Sequence, residues 1–121
     1  MLRRFNTGYE DGNYSVVAGH LEGDETLIAA AIREIDEEVG VKVQPENIVV
    51  VSVMHRKSDE ERVDFFLATR KWLGEPINRE PDKCDDIGWY VFDSLPVNTI
   101  PYVRKALENY QQGVWFGKFG W

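Results

Sequence analysis

Hydrophobic and polar residues follow two different periods along the chain, and the period predicts the element. Ser15-Val16-Val17-Ala18 is a short apolar run that reads as a buried strand. Over Glu25–Val39 the spacing lengthens. Leu27, Ile28, Ala31, Ile32, Ile35 and Val39 make one apolar stripe of a helix, with Asp24 or Thr26 to cap its start and Gly40 to end it. Ile48–Met54 and Arg62–Trp72 are rich in β-branched and aromatic residues, and read as antiparallel strands joined by the charged turn Lys57–Glu61. Gly88–Phe92 is predicted as a further strand. Residues 99–111 are predicted as a second helix, with Pro101 in its first turn and Gly113 beyond its end. Residues 3–13 read as a polar loop with turn signals at Asn6-Thr7-Gly8 and Asp11-Gly12-Asn13, and residues 73–86 as a loop with irregular or edge structure. The aromatic tail, residues 114–121, has no period that assigns it.

Length bounds this to one domain, because 121 residues leave no room for a second core. At 43% hydrophobic and 29% charged, the composition is that of a globular fold and too apolar for disorder. No apolar run is long enough for a membrane helix, and the N-terminal residues lack the apolar centre of a secretory signal. The single cysteine, Cys84, pairs with nothing in the chain, so a reducing, cytoplasmic location is expected.

Charge changes the picture more. The net charge of −7 argues against a protein that grips a nucleic-acid polymer through its phosphates. Between Glu22 and Glu38 lie seven acids (Glu22, Asp24, Glu25, Glu34, Asp36, Glu37 and Glu38) and one base, Arg33, and that stretch holds nearly all of the imbalance. On a helical wheel Glu34, Glu37 and Glu38 share a narrow arc beside the apolar stripe. Like charges at such spacing repel mildly, so a helix gains nothing from them without a cation. Hard divalent ions take oxygen ligands and are completed by water and substrate phosphates. A solvated acidic face would carry the same charges, so the surrounding residues decide.

Those residues form a sentence. From Gly19 the chain runs five residues to Glu25, seven more, then Arg33-Glu34-Ile35-Asp36-Glu37-Glu38-Val39-Gly40-Val41. This resembles the Nudix box, GX5EX7REUXEEXGU with U a bulky aliphatic, and every fixed position is filled. The flanking Asn6-Thr7-Gly8-Tyr9, Asp11-Gly12, Glu80-Pro81-Asp82-Lys83-Cys84-Asp85-Asp86, Trp89, Leu95-Pro96 and Ile100-Pro101-Tyr102 are similar to MutT-type members.

The resemblance implies an α/β fold, the Nudix α/β/α sandwich, with a mixed β-sheet between the box helix and the 99–111 helix. It implies a single Nudix hydrolase domain over 1–121, with the box at 19–41. Such domains usually begin with a strand before the segment equivalent to Leu2–Tyr9, so that strand is expected to be absent, truncated, or supplied by a partner chain, which makes a homodimer a candidate assembly. The implied activity is Mg²⁺-dependent hydrolysis of a nucleoside diphosphate linked to another group, with Mn²⁺ as a substitute. The leading substrate is a nucleoside triphosphate, oxidised forms included, cleaved to monophosphate and pyrophosphate. ADP-ribose or another nucleotide sugar is the alternative, and a Nudix-fold binding module without turnover is the alternative from outside the enzymes.

By the same resemblance Glu37 and Glu38 are metal ligands, Glu34 is a ligand or the general base, and the backbone carbonyl of Ala18 is a further ligand. Arg33 and Glu25 belong to the catalytic set as the pair that orients the loop, while Gly19 and Gly40 meet backbone requirements. Arg4, His20, Asp85 and Asp86 are the candidate substrate contacts. Arg3 is a second candidate for phosphate, and Glu80 competes with the two aspartates for a role as an outside carboxylate. Tyr9, Tyr14 and Trp89 are candidates to stack on a base, His55 reads as a surface residue, and Cys84 as inert.

Overall fold

The computed structural model describes residues 1–121. Six strands and two helices follow in the order β1 (Leu2–Arg4), β2 (Tyr14–Ser15), α1 (Leu27–Val39), β3 (Ile48–Lys57), β4 (Glu61–Thr69), β5 (Cys84–Ile87), α2 (Pro101–Gln112) and β6 (Phe116–Phe119). The strands divide into two three-stranded sheets, β2-β1-β5 and β4-β3-β6. The first is antiparallel throughout, with Leu2 opposite both Ser15 and Ile87. The second is mixed: β3 and β4 form the long hairpin, and β6 runs parallel to β3 with Val53 opposite Phe116.

Both helices begin and end for local reasons. The Thr26 hydroxyl accepts the Ala29 N–H at 3.1 Å, so α1 starts one residue later, and Gly40 ends it at φ 74°, a left-handed conformation that costs a glycine little. Pro101 opens α2, where its missing N–H is no loss, and Gly113 closes it. The apolar stripe of α1 packs through Ile28, Ala31, Ile32 and Ile35 on a cluster of Val39, Val41, Val43 and Ile48, which Leu2, Val17, Leu67 and Ile87 also cover. Helix α2 buries Val103, Ala106 and Asn109 on the β3–β6 side. Burying one such aliphatic side chain contributes roughly 1.5–3 kcal/mol.

Three expectations are corrected. Residues 2–4 are not loop: β1 is the central strand of its sheet, and its two arginines stay half-exposed there. The strand expected at Gly88–Phe92 lies earlier, at Cys84–Ile87, and Phe92–Ser94 is a 3₁₀ turn. Between Ser15 and Gly19 the pairing stops after two residues, so Val16–Ala18 are irregular. The unassigned tail is β6, held by its parallel partner. No helix is long and apolar enough to cross a membrane.

Candidate active site

The loop from Ala18 to Thr26 lies along α1 because Arg33 holds it there. Its guanidinium donates twice to Glu25, at 2.7 and 3.1 Å, and once to the His20 carbonyl at 3.2 Å. Its remaining nitrogen reaches Glu34 at 2.7 Å and Glu37 at 3.4 Å. Glu25 also accepts the Glu22 N–H at 2.8 Å. Two chain segments eight residues apart are thereby joined at one cation. The Arg33 hydrogen bonds hold the Glu25 carboxyl below the ordinary range and, with the Glu34 contact, push the Arg33 guanidinium up.

Gly19 is required by space. A Cβ there would lie 2.1 Å from Cδ of Glu34, so the loop backbone rests directly on that carboxylate. One turn on, Glu38 is half-buried and accepts the Ala18 N–H at 3.0 Å. Burial pushes the Glu38 carboxyl up to about 8, with the negative charges of Glu34 and Glu80 adding to the shift and the Ala18 N–H and Arg4 opposing it. A cation beside Glu38 would offset that penalty.

The donor set fits a hard divalent ion: three carboxylates on successive turns, with the backbone of Ala18 against one of them. In the arrangement described they are parted. Arg33 draws Glu34 and Glu37 to itself, the Ala18 amide holds Glu38, and no three acidic, histidine or cysteine side chains converge on one point.

A family model for the NUDIX domain matches residues 1–110. The chain belongs to the Nudix domain family. This Nudix domain is 32% identical over 106 residues to the NAD-capped RNA hydrolase NudC of Citrobacter koseri, covering 86% of this chain and 40% of that protein. It is 34% identical over 98 residues to the NAD-capped RNA hydrolase NudC of Pectobacterium carotovorum, covering 79% and 36%. The chain thus spans about 40% of the length of the curated relatives it matches. The MutT NUDIX hydrolase from Burkholderia pseudomallei superposes with a TM-score of 0.80 at 27% identity, over 88% of this chain and 83% of that one. The α/β Nudix fold is confirmed. The names of the first two relatives carry an RNA, which does not fit the expectation of no nucleic-acid polymer.

The other sequence candidates separate into two groups. Arg4 lies near the box: it donates to the Tyr9 carbonyl at 2.6 Å and to Thr7 at 3.0 Å, and its charge acts on Glu38. His20 meets Arg62 of β4 through its ring at 2.9 Å. Glu80 also approaches Glu38, and shares a hollow of about 380 Å³ with it and Arg4. Asp85 and Asp86 are engaged elsewhere, the first by Arg3 at 2.7 Å and the second by the Tyr14 hydroxyl. Tyr14 is buried, so only Tyr9 and Trp89 of the stacking candidates present exposed rings. His55 packs on Trp121, and Cys84 is buried with its thiol donating to the Asp86 carbonyl.

Sequence reasoning missed Arg56, Asp64 and Tyr102, which line the same cleft of about 1340 Å³ as Gly19, Glu34, Arg4 and Tyr9. The signal was available in the hairpin. With Met54 opposite Asp64 and Arg56 opposite Arg62, Arg56 and Asp64 are diagonal neighbours on one face, within reach of a long side chain.

Proposed function

We propose that this Nudix domain hydrolyses the pyrophosphate bond of a nucleoside diphosphate linked to a second group, with Mg²⁺ as its metal and Mn²⁺ as a substitute. The observation that carries this reading is the loop seated on α1: Gly19 against Glu34, the Ala18 amide on Glu38, and Arg33 spanning Glu25, Glu34 and Glu37. Glu34, Glu37, Glu38 and the Ala18 carbonyl would hold the ion. When bound, a divalent ion supplies charge neutralisation for phosphoryl oxygens and a more acidic water. The protein supplies the rest. Arg33 keeps the loop at a fixed distance from the carboxylates, and its own donors are taken, so it positions the site and does not touch substrate. Arg4 offers a fixed positive charge to a phosphoryl oxygen beside Glu38. Glu34, when not a ligand, takes the proton from the attacking water.

The leading substrate is a nucleoside triphosphate, split to monophosphate and pyrophosphate. The NudC relatives favour a second reading, a dinucleotide pyrophosphate of the NAD type, with ADP-ribose and nucleotide sugars in the same chemical class. Product analysis after incubation with nucleoside triphosphates, NAD and ADP-ribose in Mg²⁺ tests all three. Cleavage between two phosphorus atoms, abolished by EDTA, is the expected result. No cleavage of any of them with Mg²⁺ or Mn²⁺ would leave a binding module instead.

A further inference from the structure

Arg56 is 7% exposed, although it sits in a strand whose neighbouring surface is open. Its guanidinium lies 3.9 Å over the centre of the Tyr102 ring, a close cation–π contact. Nε and Nη2 donate to the two oxygens of Asp64, at 2.6 and 3.3 Å. Nη1 donates to no protein atom. Every side-chain polar atom sealed from solvent has a partner, so the unpartnered Nη1 is reached by solvent, and Arg56 is among the residues that line the cleft. A buried ion pair of this kind is weak evidence for stability, since apolar residues of like volume do as well.

The cluster connects to the box. Tyr102 lies in the field of Arg56, Asp64, Tyr9 and Arg4, and Arg4 in turn acts on Glu38. Arg4 sits 5.2 Å from the centre of the Tyr9 ring, and Tyr9 is 49% exposed and lines the same cleft. Charge decides what this end of the cleft takes. Arg56 and Asp64 cancel, so a phosphate would meet a carboxylate as closely as a guanidinium. A neutral group with an acceptor beside an N–H donor satisfies both members: Nη1 donates to the acceptor, and a free lone pair of Asp64 accepts the N–H. Amide and amidine edges of heterocycles have that pattern, and the exposed Tyr9 face suits a flat ring.

We propose that Arg56 and Asp64, floored by Tyr102 and flanked by Tyr9, form the subsite for the heterocycle of the nucleotide, reading an adjacent acceptor and donor on its edge. This inference rests on the nucleotide reading of the cleft. Its test measures binding in EDTA, so a chain that binds without hydrolysing tests it equally well. At 14.0 kDa the chain suits NMR titration with the 5′-monophosphates of adenosine, guanosine, uridine and nicotinamide riboside, and with ribose 5-phosphate. At least one nucleotide should move the Arg56 side-chain and Tyr102 ring resonances, while ribose 5-phosphate leaves them in place. Arg56→Lys, which lacks the forked donors, should weaken that nucleotide at least tenfold and leave ribose 5-phosphate unchanged. The proposal is overturned by resonances that respond to no nucleotide, by an equal response to ribose 5-phosphate, or by unaltered affinity in Arg56→Lys. The wild-type titration decides the matter even if the variant does not fold.

Discussion

Helices α1 and α2 are nearly the same length, both end on a left-handed glycine, and both bury one apolar face. Their polar faces differ. Helix α2 carries Arg104, Lys105 and Glu108, close to neutral and spread along its surface. Helix α1 carries Glu34, Asp36, Glu37 and Glu38 against Arg33 alone, all in its C-terminal half, with no acid in the first turn and no base in the last. Negative charge there opposes the helix dipole, at roughly 0.3–1 kcal/mol per exposed group. Lys42 and Arg79, both bonded to Asp36, offset part of it from outside the helix. Folding needs what α2 has. The surplus on α1 is a cost to the free protein, and a cation is what would recover it.

Charge-neutral substitutions break this comparison most sharply. Glu37→Gln and Glu38→Gln should each lower turnover roughly 10²–10⁴-fold. In EDTA above pH 8, where the wild-type carboxyl carries its charge, the same Glu38→Gln chain should melt at a higher temperature than wild type, because a half-buried charge is gone while an acceptor for the Ala18 N–H remains. Loss of both activity and stability would mean that these residues serve the fold.

Arg33→Ala should cost about 10–100-fold in metal affinity or activity, since it removes the tie between loop and carboxylates without removing a ligand. The pH dependence sharpens this. Arg33 depresses the Glu25 pKa below the ordinary 4.5 in the folded state, so the stability that Glu25 contributes is present above that value and lost as pH falls through the lower folded one. Acid unfolding curves of wild type should therefore be steeper below about pH 4.5 than those of Glu25→Gln. Parallel curves would detach Glu25 from the loop. The smallest effect belongs to α2, where Glu108→Gln should change stability by less than about 0.5 kcal/mol and leave turnover alone, measured by denaturant melts and product release.

Much of this was legible in residue order. The α1 stripe, its Gly40 end, the β3–β4 hairpin and the box follow from local spacing, which needs no knowledge of distant chain. Strand β5 did not, because Cys-Asp-Asp-Ile looks like loop until Arg3 and the Tyr14 hydroxyl are seen to take its two acids. Strand β6 depends on a parallel partner some sixty residues away in the chain, and no local pattern announces that. In the site, the contact between Arg33 and Glu25 is one that their spacing of eight residues allows. Arg56 did not, because an arginine in a strand is ordinarily exposed and this one is covered by a tyrosine from another element.

The central claim is that the glutamates of α1 gather around a divalent ion. Substoichiometric Mn²⁺ added to the labelled protein broadens amide resonances near wherever it binds. Selective broadening of Ala18, Gly19 and Glu34 through Glu38, reversed by excess Mg²⁺ and absent in Glu38→Gln, is the predicted result. Broadening spread over the other acidic surfaces, such as Asp59-Glu60-Glu61, with the box no more affected than they are, would contradict it.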